Sequence, residues 1–256
     1  MKAPERTITS VETAFDIVEH LKEADGAGVS EIAAELGLAK STVHNHLATL
    51  HSKGYVTRDD DTFQVALRFL DFGNYAREQS PLYQVGSEKV DELAEETGEK
   101  VWILAEENGR GVHLYVASGK RSVQTYARTG QLNYLHQLAA GKAILAWLPR
   151  ERVDEIVDRY GMPARTENTI TDRERLHAEL EEIRERGFAQ NYEESIPGLH
   201  AVGVPISDED GVAIGSLSLS APAKRLRGER FDREIPNLLL GVANEIEINM
   251  IYTNVR

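Results

Sequence analysis

Ser30–Leu50, SEIAAELGLAKSTVHNHLATL, decides the reading of this chain. Ile32, Ala33 and Leu36 form a short apolar-periodic helix, Gly37-Leu38-Ala39 a turn, and a second helix starts at about Lys40. On that second helix Val43, Leu47 and Leu50 recur at i, i+4, i+7, which is one buried stripe. At roughly 100° per residue the opposite side holds Ser41, Asn45, Ala48 and Ser52, flanked by His44 and Thr49. That face is small, rich in hydrogen-bond donors and acceptors, and lacks the Glu/Lys pairs of a solvated helix. Two short helices joined by a tight turn, the second presenting such a face, predict a helix-turn-helix. Further on, Gly54-Tyr55-Val56-Thr57-Arg58 and Thr62-Phe63-Gln64-Val65 alternate like strands across Asp59-Asp60-Asp61, a hairpin where a wing belongs. A generic three-helix bundle is the alternative; the polar face and the hairpin together favour DNA binding.

The charge balance pulls the other way. The formal net charge is −13, awkward for a partner made of phosphates. The first 75 residues hold seven Lys+Arg against twelve Asp+Glu, a difference of −5. Only nine of the 29 basic residues are lysine, and this acid-rich, lysine-poor composition suggests a high-salt cytoplasm, as in halophiles, where repulsion is screened. Local charge decides, because Lys40, Lys53 and Arg58 flank the recognition helix and wing while the acids are expected mostly elsewhere. Cysteine is absent, which excludes disulfides and Cys-ligated zinc. No run approaches the ~18 apolar residues of a membrane span, and MKAPERTITS has no signal-peptide core. A cytoplasmic protein with no membrane association is expected.

Outward from the motif, Thr7–Ala24 reads as a first helix, capped by Thr9 or Ser10 and striped by Val11, Ala14, Phe15, Val18 and Leu21. Residues 66–79 read as a linker helix interrupted at Ser80-Pro81, and Leu82–Thr97 as a further helix stopped by Gly98. From Lys100 the pattern turns strand-like. Val101–Ala105 and Val112–Val116 form a hairpin across Glu107-Asn108-Gly109-Arg110-Gly111, and a third strand is expected at about Ser122–Ala127. Helices follow near Ala139–Leu148, Glu151–Tyr160 and Asp172–Arg186, then strands at Phe188–Tyr192, Ala201–Ile206 and Val212–Leu219, and a last helix over Asp232–Tyr252. The fold class is α+β, with a central antiparallel sheet in the second domain. The divisions expected are 1–66 for DNA binding, 67–97 for linker helices and 98–256 for the second domain.

Two stretches of that domain suggest a ligand. In Leu135–Ala146, LHQLAAGKAILA, small residues at a helix start let backbone approach an anion such as a carboxylate. It is not a phosphate loop, because Ala143 stands where a Mg²⁺-binding hydroxyl is needed. A helix packed closely on a sheet is the plainer reading. In Ser216-Leu217-Ser218-Leu219-Ser220 alternation puts three hydroxyls on one strand face, facing either a pocket or solvent at a sheet edge. His136, Glu194, Ser195 and His200 are the parts from which an enzyme could be built, but no Gly-x-Ser-x-Gly elbow is present. Neither an enzyme, a cofactor nor a metal is expected; His44, His46 and His51 lack the spacing of same-face ligands.

These pieces, in their order and spacing, resemble the IclR family of transcription regulators over nearly the whole chain. The residues that carry it are LGLAKSTVHNHLATL, Gly54-Tyr55-Val56, HQLAAGKAILAWLP, and the run from Arg186-Gly187-Phe188 through Glu193-Glu194, Gly198-Leu199 and Val204-Pro205-Ile206 to Leu217–Pro222. The resemblance implies a winged helix-turn-helix followed by a GAF/PAS-like effector-binding domain, homodimers that pair into tetramers, and a small organic or aromatic acid as effector. It places effector contacts at Ala139, Ala140, Asn191, Leu199, Ala201, Ser218 and Ser220. Ala201 and Asn191 depart from the family's usual residues, as do Asn45, where an Arg is frequent, and Ala39, which gives up a cap.

On this reading Ser41, His44, Asn45 and Thr49 face base edges of double-stranded promoter DNA, and Lys40, Thr42, Lys53 and Arg58 hold phosphates. A dimer reads a pseudo-palindrome, and the helices of residues 66–97 carry the effector's signal to the spacing of the DNA-binding heads. An enzyme with a DNA-binding appendage and a sequence-nonspecific nucleoid protein are the alternatives.

Overall fold

The computed structural model describes residues 7–125 and 127–253. The chain divides into two compact units, Met1–Ala76 and Arg77–Arg256.

In the first unit α1 (Thr9–Glu23) is followed by β1 (Ala27–Gly28), α2 (Val29–Glu35), α3 (Lys40–Ser52), β2 (Val56–Asp59), β3 (Thr62–Val65) and the start of α4 (Arg68–Glu78). The three strands form an antiparallel sheet in the order β1-β3-β2. Ile17, Leu21, Ile32, Val43, Leu47, Val56 and Phe63 make one core, so the α3 stripe packs as its spacing requires. Two expectations for α1 fail. Ile8 occupies the N-cap and neither Thr9 nor Ser10 caps through its side chain. Its buried residues are Thr13, Ile17 and Leu21, whereas Phe15 is 57% exposed and Val11 48%. The helix is apolar on two sides, and the core takes the Ile17–Leu21 side. Phe15, Ala14 and Val18 instead line an open apolar groove with Leu50, Tyr55, Phe69 and Phe72.

The second unit starts with α5 (Pro81–Thr97), which ends on the left-handed Gly98. β4 (Lys100–Glu107) and β5 (Arg110–Ser118) form a hairpin whose two turn residues, Asn108 and Gly109, both have positive φ, the combination a two-residue turn of the right twist needs. Then come β6 (Leu132–Asn133), a 3₁₀ turn at Leu135–Gln137, α6 (Ala139–Ala146), α7 (Arg150–Tyr160), α8 (Arg173–Arg186), β7 (Ala189–Tyr192), β8 (Leu199–Ser207) and β9 (Ala213–Pro222). A π-helical turn at Arg230–Glu234 leads into α9 (Ile235–Thr253), so the last helix is not uniformly α from Asp232. The strands make one antiparallel sheet in the order β6-β5-β4-β9-β8-β7. α5 and α9 cover one face through Leu82, Val90, Leu239 and Ile246 against Ile103, Val204, Leu217 and Leu219. On the other side α6, α7 and α8 share a separate core.

Three further points are settled by packing. α5 is no linker: its apolar stripe belongs to the core of the second unit. No strand occurs at Ser122–Thr125, and Tyr126 lies outside the described residues. β9 is central, so its serines do not face solvent at an edge; Ser216, Ser218 and Ser220 are all buried.

Candidate DNA-binding face and effector cavity

On α3 the residues expected to face bases, Ser41, His44, Asn45 and Thr49, are all exposed on one side, and Lys40 and Lys53 at the helix ends are exposed as well. Thr49 Oγ1 donates to Asn45 O at 2.9 Å, leaving the Asn45 amide unbonded among the described residues. Thr42 is half-buried, its carbonyl 2.9 Å from His46 Nδ1, while His46 Nε2 lies 3.2 Å from Ser10 O. His46 therefore ties α3 to α1. Ala39 begins α3 without a side-chain cap. The wing differs from expectation. Arg58 is exposed but already engaged within the wing: its Nε donates to Asp60 O at 2.6 Å and a terminal nitrogen lies 3.4 Å from Asp61 Oδ1. Asp59, Asp60 and Asp61 form the tip itself, so acids lie beside the motif after all. Sequence order alone does not show that Arg58 folds back along its own turn.

The second site sits between α6 and the sheet. Trp102 pairs with Ser218 and Lys100 with Ser220 across β4 and β9, and Ala201 with Ser220 across β8. The helix start comes down onto this surface because two glycines allow it. A Cβ on Gly203 would lie 2.6 Å from Ala140 N, and one on Gly141 2.0 Å from Leu135 O. Close packing and an open helix N-terminus are thus the same feature, not alternatives. The partly open space is lined by Ala139, Ala140, Leu199, Ala201, Ser218 and Ser220, six of the seven residues named from the sequence. Its volume is about 60 Å³, against roughly 10–15 Å³ for one water on the same measure. A compact ligand fits.

Asn191 is the exception. It is buried away from the cavity, Nδ2 donating to Gln137 O at 2.9 Å and Oδ1 accepting Glu194 N–H at 3.0 Å. The amide pins the loop after β7 to the turn before α6. Ser216 also stays outside, its hydroxyl buried without a partner among the described residues. Sequence reasoning missed much of the wall: Trp102, His113, Thr125, Ala127 and Asn133, with Leu138, Arg165, Ser195 and Ile196. Only the hairpin residues had a local signal, an apolar strand interrupted by a polar side chain; Arg165 lies in irregular chain.

His113 packs against Trp102 with ring centroids 4.4 Å apart and the planes tilted by 44°. Burial, and then the charge of Arg165, hold its pKa down at about 4, so it is neutral at pH 7. Lys100 Nζ donates to Thr125 Oγ1 at 3.2 Å, and burial lowers its pKa. Among the described residues lining the cavity there is no Asp or Glu. The would-be catalytic parts do not assemble. His136 lies against Pro163 O, His200 against Leu226 O, and Glu194 is bonded to Lys142, with no hydrogen bond joining any two of the four among the described residues.

Comparison with known proteins agrees with both halves. The family description "Bacterial transcriptional regulator IclR C-terminal" matches residues 76–248, and "IclR helix-turn-helix domain" matches residues 10–60. The chain belongs to the IclR family of transcriptional regulators. It is 36% identical to the probable HTH-type transcriptional regulator ArcR of Halobacterium salinarum over 96% of this chain and 95% of that one. It is 30% identical to the HTH-type transcriptional regulator KdgR of Escherichia coli over 96% and 94%. Among solved structures the IclR protein of Thermotoga maritima superposes with a TM-score of 0.75 at 28% identity, covering 95% and 99%. An IclR homologue from Microbacterium hydrocarbonoxydans, solved with 4-hydroxybenzoate, has a TM-score of 0.74 at 21% identity over 93% and 99% and shares the fold. As an IclR-family member the protein is a helix-turn-helix regulator that acts on DNA, and no helix among the described residues is long and apolar enough to cross a membrane.

Proposed function

We propose that this IclR-family regulator responds to a compact organic acid held between α6 and the sheet, and that occupancy sets its affinity for a pseudo-palindromic promoter site. One observation carries the reading. In a chain with 42 acidic residues, the cavity wall contains none among those described, while Arg165, Ala139 and Ala140 at the start of α6, and the serines Ser195, Ser218 and Ser220 are all there. An anion is favoured by such a wall, through the helix N-terminus and the guanidinium. Trp102, Leu138, Ile196 and Leu199 supply the apolar surface that a small organic body needs.

At the DNA, Ser41, His44, Asn45 and Thr49 meet base edges while Lys40, Thr42 and Lys53 hold phosphates, with Arg58 joining them only after leaving Asp61. Self-association through the first unit is consistent with its open apolar groove of Phe15, Tyr55, Phe69 and Phe72. The regulator acts without catalysis and resides in the cytoplasm.

The experiment is native mass spectrometry of protein purified gently at high KCl, followed by titration of the recovered ligand against binding to the protein's own upstream DNA. An acid is expected, and it should change operator affinity. A neutral or cationic ligand, or an acid with no effect on DNA binding, overturns the reading.

A further inference from the structure

Between α7 and α8 the chain has no regular structure, yet it is fastened at both ends of the cavity. Pro163 O accepts Gln137 Nε2 at 2.8 Å, beside the start of α6. Thr166 Oγ1 donates to Glu193 O at 2.8 Å, Asn168 Nδ2 to Tyr192 O at 3.2 Å and Thr169 Oγ1 to Glu194 O at 2.7 Å. The segment is a strap joining the turn before α6 to the loop after β7. Those are two walls of the same cavity.

Arg165 lies between the two sets of fastenings. Its backbone N–H donates to Thr169 Oγ1 at 3.0 Å, which fixes its Cα, and its side chain lines the cavity. Several arginines of this unit have partners: Arg225 holds Glu99, Arg186 holds Glu179, and Arg110 stacks on Tyr134. Among the described residues the Arg165 guanidinium has neither an ion pair nor a hydrogen bond. An unpaired surface arginine is ordinary. Arg165 is likewise exposed overall, but it also lines an acid-free cavity from a pinned backbone, and that is a different matter.

We propose that Arg165 pairs with the carboxylate of the effector, and that this contact makes the cavity prefer acids to their neutral analogues. The inference rests on reading the cavity as the effector site. A guanidinium presents a planar fork of donors that matches a carboxylate in two parallel bonds. No lining acid competes for it, and His113, neutral at pH 7, adds no second cation. Thr166 and Thr169 are positioning residues: they act by holding the strap.

The test uses the full-length protein and calorimetric titration with pyruvate, succinate and 4-hydroxybenzoate, each beside its own amide. The wild type should bind at least one acid more tightly than the amide. Arg165→Gln should weaken that acid by about 10- to 100-fold, leave the amide unchanged, and so abolish the discrimination; Arg165→Lys should restore part of it. A fold defect would weaken acid and amide alike. If Arg165→Gln keeps the full preference, or the wild type treats every acid and its amide alike, the proposal is wrong. The cavity reading fails separately, if Ala140→Trp, which fills the space, leaves acid binding intact.

Discussion

Lys142 Nζ and Glu194 Oε1 meet 2.7 Å apart, and both side chains are almost wholly buried. The pair joins α6, one turn beyond the cavity, to the loop that carries Ser195 and Ile196. Lys142 also reaches Glu179 at 3.2 Å, itself held by Arg186 at 3.2 Å. Removing one member of a buried pair strands the other charge, which costs about 3–5 kcal/mol. Lys142→Met should therefore lower the unfolding free energy by that amount, because Glu194 then loses its cation while Glu179 keeps Arg186. Replacing both charges, Lys142→Met with Glu194→Leu, should recover most of the loss. Urea unfolding of the two variants decides it: an equal loss in both would mean that packing, not charge, holds α6 to the loop.

Acid stability has a separate source in His113. Its folded pKa of about 4 lies below the ordinary histidine value of 6.5. As pH falls, the unfolded chain takes up the proton first. The stability tied to neutral His113 is thus complete above about pH 6.5 and is lost as pH drops toward 4, by about 3 kcal/mol in all. Glu194 runs the other way. Burial raises its carboxyl pKa despite Lys142, so it penalises folding as pH rises above the ordinary carboxylate range. A whole-protein pH curve mixes the two. The difference between wild type and His113→Gln isolates the histidine: the wild type's advantage should shrink by about 3 kcal/mol between pH 7 and pH 4, and a pH-independent difference would contradict the assignment.

How far the sequence carried can be traced element by element. The α3 stripe, the turn within Glu107–Gly111 and the Gly98 stop are local signals, and each element formed there, the strands running on until only Asn108-Gly109 is left as the turn. The cavity was legible where one strand face or one helix start contributes several residues, as with Ser218 and Ser220 or Ala139 and Ala140. It was illegible where tertiary contacts choose. Asn191 lies on a strand beside the right neighbours, but its amide is claimed by Gln137 O and Glu194 N–H. α1 has enough apolar residues for two faces, and nothing local says which one the core will take. Arg165 sits in chain without periodicity, placed by threonines whose partners are 25 to 27 residues away.

Asn45 is the one exposed amide on the outer face of α3. An amide can bond both N6 and N7 of adenine, a pairing worth about 1–3 kcal/mol of discrimination. Asn45→Ala should therefore relax preference at a single base position by about 5- to 150-fold, with non-specific affinity retained. Binding to a library of operator variants measures both quantities together. Uniform weakening across all sequences would remove Asn45 from the base-reading set.

The wing offers a sharper electrostatic test. Its tip is Asp59-Asp60-Asp61, and Arg58, the cation expected to hold a phosphate there, is occupied by Asp60 O and Asp61 Oδ1. Both side chains of that ion pair are largely exposed, so the pair itself contributes little to stability. What matters is the field that a wing beside the duplex presents to phosphate. Asp61→Lys removes the ion pair of Arg58, whose bond to Asp60 O remains, and replaces a repelling charge with an attracting one, leaving Asp60, whose φ of 49° shapes the turn, untouched. If the wing lies against the backbone, affinity should rise on all sequences alike. The plot of log affinity against log salt should also steepen by about 0.9 for each new phosphate contact. Titrations across a range of KCl concentrations give that slope directly. An unchanged slope would mean that the wing stays clear of the DNA and that α3 with its flanking lysines makes the contact alone.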